Sequence, residues 1–190
     1  SAIQKKKSLW SPFCKEFESG FAGIFQLYQT HKIFNDLQDE SIERTIYGCY
    51  PLHPVSTFIL PRLSERVAQN ERTLFTFISA PGISTLPSFL ETYNDDRFAL
   101  ITPDCIYDYF EPLLKKEIYS GNIHEIYRLT EVILEKLVPE SLESKVVKTL
   151  SLIYILEQFE KLQPSKDELV GIYSTQYAVD EIDGAIDNLI

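Results

Sequence analysis

Methionine is missing altogether from the 190 residues, tryptophan occurs once, and glycine only seven times. A chain without an initiator residue reads as a piece of a longer polypeptide. Cysteine is scarce as well. Cys14, Cys49 and Cys105 are odd in number and far apart, which argues against a disulfide framework and fits a reducing compartment. Positive charge is short, with 18 Lys and Arg against 28 Asp and Glu for a formal charge of −10. Affinity for nucleic-acid backbones or anionic lipid surfaces comes largely from Lys and Arg, so neither is supported as a partner. Long apolar runs are also lacking. The strongest, around Leu150 to Leu156, is far below the roughly 20 residues that cross a bilayer. Lys5-Lys6-Lys7 leads into a segment with Lys15, Glu16 and Glu18 instead of the apolar core of a signal peptide. The expected location is the cytoplasm, with no membrane partner.

What the chain does have is apolar and aromatic content, 44% and 13%, enough for a substantial core. The apolar residues recur at three and four, not at two, so helices are expected and confident strands are not. Leu9 to Phe34 carries Trp10, Phe13, Phe17, Phe21, Ile24, Phe25 and Tyr28 on one stripe, with Gly20 and Gly23 marking a close contact or a kink. Pro54 suits the first position of a helix, where its missing N–H is not needed. Val55, Phe58, Ile59, Leu63 and Val67 follow as its buried face, and Pro61 predicts a kink. Asn70 is a helix cap, with Leu74, Phe75, Phe77 and Ile78 expected in the core. Further helices are expected over residues 86–93, 103–119 and 123–137, then 145–159. Ser165-x-x-Glu168 has the pattern of a capping box, with a short helix to about Tyr173. A last helix bears Val179, Ile182, Ile186 and Leu189. The predicted fold is mainly α: a multi-helix bundle over residues 1–140, then a helix-turn-helix or truncated winged-helix-like unit over 141–190.

Arg72 lies in the first turn of the helix capped by Asn70. Two readings stand. A carboxylate of Glu65, Glu71 or Glu91 neutralises it in a surface ion pair, which contributes little. Alternatively, the guanidinium joins the exposed backbone donors of the helix start as an anion site suited to a terminal phosphate.

The stretch from Tyr50 to Ile78 carries Pro51, His53, Pro54, Leu60, Pro61, Leu63, Ser64, Gln69, Asn70, Glu71, Arg72, Leu74, Phe75 and Phe77. It resembles the region that follows the nucleotide-binding core in large bacterial P-loop ATPases of the AAA-like class, including ones associated with phage defence. Ile106-Tyr107-Asp108-Tyr109-Phe110 and Val147-Lys148-Thr149-Leu150 look similar to the same pattern, so the resemblance extends over most of 50–190. It implies a helical lid with a winged-helix-like module, Arg72 as a nucleotide sensor, and Asn70 and Glu71 as support for its helix start. A P-loop ATPase core, in the same chain or the same complex, is the implied partner, and ATP and Mg belong to that core. The chain itself holds no Gly-x-x-x-x-Gly-Lys-Ser/Thr sequence. Catalytic activity, a cofactor or a catalytic residue is therefore not expected of these residues alone.

Other chemistry reads weakly. Cys49 and His53 stand four apart but make too small a ligand set for zinc, and His53 is expected to cap or pack at a helix start. His31 and His124 have no local partner pattern. Asp95, Asp96 and Asp104 read as turn and helix-start residues, and Tyr107, Tyr109 and Phe110 as core. The last helix carries Asp180, Glu181, Asp183 and Asp187, which phosphates would repel. The terminal unit is thus expected to meet a protein instead of DNA. A stand-alone helical interaction module is the competing reading, and DNA binding the third.

Overall fold

The computed structural model describes residues 3–68, 71–93, 97–117 and 121–190. Asn70, Asp95 and Asp96, like Gln69, lie outside them, as does the side chain of Glu71. Eleven α-helices are found among the described residues: α1 Lys7–Glu16, α2 Glu18–Tyr28, α3 Asp39–Cys49, α4 Pro54–Ala68, α5 Glu71–Ser79, α6 Leu86–Thr92, α7 Pro103–Leu114, α8 Asn122–Leu134, α9 Leu142–Leu156, α10 Lys166–Tyr173 and α11 Val179–Asp187. A single 3-10 turn, Lys32–Phe34, follows α2. The β-structure described is one isolated parallel bridge between Leu52 and Ile101. The mainly α expectation holds.

The first expected helix is divided. Phe17, at φ −104° and ψ 25°, separates α1 from α2. Packing explains the break. In one continuous helix Trp10 and Phe21 would stand about 16 Å apart along the axis, yet their ring centroids are 5.9 Å apart. Folding α1 back lets Trp10, Phe13 and Phe21 converge on Tyr50 at 5.7, 5.2 and 5.3 Å. Gly20 marks a close contact, since a Cβ there would come within 2.9 Å of the Phe98 ring, whereas Gly23 faces open space.

Helix α4 starts where the sequence places it. Pro54 is its first residue, and the His53 Nδ1 accepts from the Val55 N–H at 3.2 Å. Just before it, the Tyr50–Pro51 bond is cis. The Pro51 carbonyl accepts from the Ile101 N–H at 2.8 Å, and the His53 N–H donates to the Ile101 carbonyl at 3.1 Å, so the 50–53 turn is pinned to the approach of α7. Val55, Ile59 and Leu63 are fully enclosed. Pro61 lies inside the helix, and Arg62 donates to the Phe58 carbonyl while covering the Phe58 ring at 3.7 Å.

Helix α9 sits at the centre, packing on α4, α7, α8 and α11. Val146, Leu152, Ile153 and Ile155 are buried on several sides of it, as expected of a helix enclosed by neighbours. Each such side chain contributes on the order of 1.5 to 3 kcal/mol. The helix begins earlier than its periodicity predicts, at a Ser141 cap that accepts from the Ser144 N–H, and ends at Glu157 in the left-handed region. Helices α10 and α11 pack on each other, and α11 on α9.

Candidate functional site

Arg72 is the second residue of α5 and its side chain is exposed. Its carbonyl accepts from the Thr76 hydroxyl at 2.8 Å. One residue on, the Thr73 carbonyl accepts from the Tyr109 hydroxyl at 3.1 Å, which ties the first turn of α5 to α7. Tyr109 is thus half surface, half strut, while Tyr107 and Phe110 beside it are core as expected. Phe75 departs from expectation. It lies two residues, about 200° of helix rotation, from the enclosed Phe77, and is 57% exposed, because α5 packs only on α4 and α6 among its principal neighbours.

The segments 106–110 and 147–150 are distant in sequence but meet in space. Asp108 of α7 receives the Lys148 Nζ of α9 at 2.7 Å, and the same ammonium reaches Glu140 at 3.4 Å. Burial pushes the Asp108 carboxyl above its ordinary range, with Lys148 opposing that shift. Burial also works against the Lys148 ammonium, but the Asp108 hydrogen bond and charge more than restore it. A perturbed carboxylate beside a cleft is a recognised mark of function. The cleft, about 290 Å³, runs between α5, α6 and α7 and reaches Phe77, Phe89, Cys105 and Asp108.

Deeper inside, a polar network joins three helices. The Tyr173 hydroxyl lies 3.1 Å from Asp104 Oδ1, 2.7 Å from Thr149 Oγ1 and 3.0 Å from the Lys145 carbonyl. Asp104 is a helix-start residue, as read from sequence, and is also buried. Such groups are stable inside only when hydrogen-bonded, and this cluster fastens α10 to α7 and α9.

The histidines divide. His53 is a cap and is enclosed, and burial, followed by the charge of His31, lowers its pKa to about 3. His124 is buried on α8. His31 Nδ1 accepts from the Ile33 N–H, so Nε2 carries the proton donated to Glu168 Oε2 at 2.9 Å. Glu168 was expected to reach back to the Ser165 N–H. Instead the Ser165 N–H goes to the Gln163 carbonyl, and only the Ser165 oxygen keeps its half of the capping box, accepting from the Glu168 N–H. Glu168 instead reaches His31 across 137 residues, a partner that no local signal announces.

No known protein family, curated protein or solved structure matches the chain. Among the described residues no group of His, Cys, Asp and Glu could hold a metal ion, and no helix is long and apolar enough to cross a membrane. The structure brings Asp108, Lys148 and Glu140 together and places Arg72, exposed, in the first turn of α5. The pairing of Asp108 with Lys148 has no signal in the sequence, because the two lie 40 residues apart on α7 and α9.

Proposed function

We propose that the chain is a noncatalytic lid and regulatory segment of a larger P-loop ATPase, coupling nucleotide state to domain or subunit arrangement. The observation that carries this reading is the placement of Arg72: an exposed guanidinium on the first turn of α5, whose backbone is braced by Tyr109. Anions favour helix starts, and arginine offers planar paired donors to phosphate oxygens. ATP and Mg would be held by the partner core, with Arg72 reaching the terminal phosphate. A displacement of α5 has a packed route inward, from α4 to α7 and α9 and on to α11. Winged-helix-like character of residues 141–190 is part of the proposal. Its support is the three-helix order α9, α10, α11.

The test is ATP turnover by the natural full-length polypeptide with Arg72→Ala beside the wild type. A turnover left unchanged by Arg72→Ala would remove the sensor role.

A second reading is a helical protein-interaction module. Leu129, Val132 and Ile133 make an exposed i, i+3, i+4 apolar stripe on α8, and α11 presents the exposed Asp180 and Asp187. A natural polypeptide without a phosphate loop, and without an ATPase partner chain, would leave this reading in place.

A further inference from the structure

The α5–α6–α7 cleft brings an aromatic pair and two carboxylates to one wall. Phe89 and Tyr93 of its wall stand with ring centroids 4.4 Å apart, Phe89 half-buried and Tyr93 exposed. Three described residues other than glycine have φ in the left-handed region, Ser84 at 58°, Glu140 at 61° and Glu157 at 55°, and the first two line this cleft. Each such conformation costs on the order of 1 kcal/mol, and such strain concentrates at binding sites. Two of the three have ordinary roles: Glu157 ends α9, and Glu140 is the third residue of the turn that the Ser141 N–H closes on the Val138 carbonyl at 3.2 Å, ahead of the α9 cap.

The wall's polar chemistry is selective. Three of the wall's hydroxyls are engaged by backbone: Ser88 donates to the Thr85 carbonyl and accepts from the Thr85 N–H, Thr92 donates to the Ser88 carbonyl, and Thr85 donates to the Gly82 carbonyl. The charged groups of the wall are the carboxylates. Asp108 Oδ1 meets Lys148, and a carboxylate has a second oxygen with further lone pairs. Two carboxylates, Asp108 and Glu140, face one ammonium, Lys148, which leaves one net negative charge. Burial, with the Asp104 charge, pushes the Cys105 thiol up to about 12. At neutral pH it is an uncharged, polarisable wall and not a nucleophile. A volume of about 290 Å³ is small for a ligand pocket and admits one ring system.

We propose that this cleft binds a small planar heteroaromatic molecule bearing hydrogen-bond donors or a positive charge, its face against Phe89 and Tyr93 and its donor edge on Asp108 and Glu140. The site rests on the cleft alone and is independent of the ATPase reading. The probe is 2-aminobenzimidazole, a flat cationic donor, titrated into the chain with NMR detection. Indole-3-carboxylate, of similar shape but opposite charge, is the control. The expected result is saturable binding in the millimolar range or tighter, with shifts at Phe89 and Tyr93, and at least about tenfold weaker binding of the carboxylate. Tyr93→Ala, which removes an exposed ring, and Asp108→Asn should each lower the affinity of 2-aminobenzimidazole by about fivefold or more while circular dichroism stays unchanged. Tyr93→Ala keeps the test decisive where Asp108→Asn perturbs folding. Absence of saturable shifts at these residues, equal binding of both probes, or undiminished binding by a folded Tyr93→Ala would overturn the proposal.

Discussion

His53 has no exposed surface, and its imidazole is held neutral by burial and by the nearby His31, with a pKa lowered from 6.5 to about 3. Its folded pKa is below its unfolded one, so the unfolded chain takes up the proton first. Stability is full above about pH 6.5 and declines as pH falls from there toward 3. Between pH 7 and pH 5 this one group should remove about 2 kcal/mol. His53→Asn keeps an acceptor for the Val55 N–H but has nothing to titrate. Urea unfolding at the two pH values should show a loss smaller by about that amount in the variant, and equal losses would contradict the assignment. The two glycines of α2 make a second comparison. Gly20→Ala drives a methyl toward the Phe98 ring and should destabilise by about 1 kcal/mol or more. Gly23→Ala meets nothing and should stabilise by up to about 1 kcal/mol, because alanine restricts the unfolded backbone. Thermal melts of opposite sign are the expected outcome. The sequence pointed to both glycines but could not tell them apart, since the difference is one ring supplied by residue 98.

Helix positions were largely legible because periodicity and end signals are local. Pro54 and Thr102-Pro103 begin α4 and α7 as read, and Ser165 does cap α10. What failed was set at a distance. The break at Phe17 comes from the Tyr50 ring just past α3, and the half-made capping box from His31. Phe75 is exposed because α5 has few neighbours. The Asp104, Thr149 and Tyr173 cluster was equally hidden, since its members come from three helices. Tyr173→Phe tests its worth. Asp104 would keep its burial and lose a donor, which should cost about 1 to 3 kcal/mol in chemical denaturation. A loss within about 0.5 kcal/mol would show that Lys145, 4.0 Å away, satisfies Asp104 without the phenol.

Across the whole molecule, α9 is the element on which α4, α7, α8 and α11 converge, and α4, with the Tyr109–Thr73 bond from α7, connects it to the helix that carries Arg72. Polar ties reinforce the same body at long range: His31 to Glu168, Lys161 to Asp36, and Arg66 to Glu157. The proposed lid role requires that a body tied this way relay a change at one end to the other. The candidate site was only partly legible for the same reason. Arg72 is singled out through the resemblance to an ATPase lid, and its role stands as a proposal, whereas the α5–α6–α7 cleft draws in Glu140 from beyond α8 and has no local signal. The most direct measurement is steady-state ATP hydrolysis by the natural full-length polypeptide, wild type against Arg72→Ala, with helicity checked in both. The proposed coupling predicts a loss of roughly tenfold to hundredfold in kcat in a folded variant. Equal rates, or no hydrolysis by the wild type alone or with its natural partner chains, would contradict it.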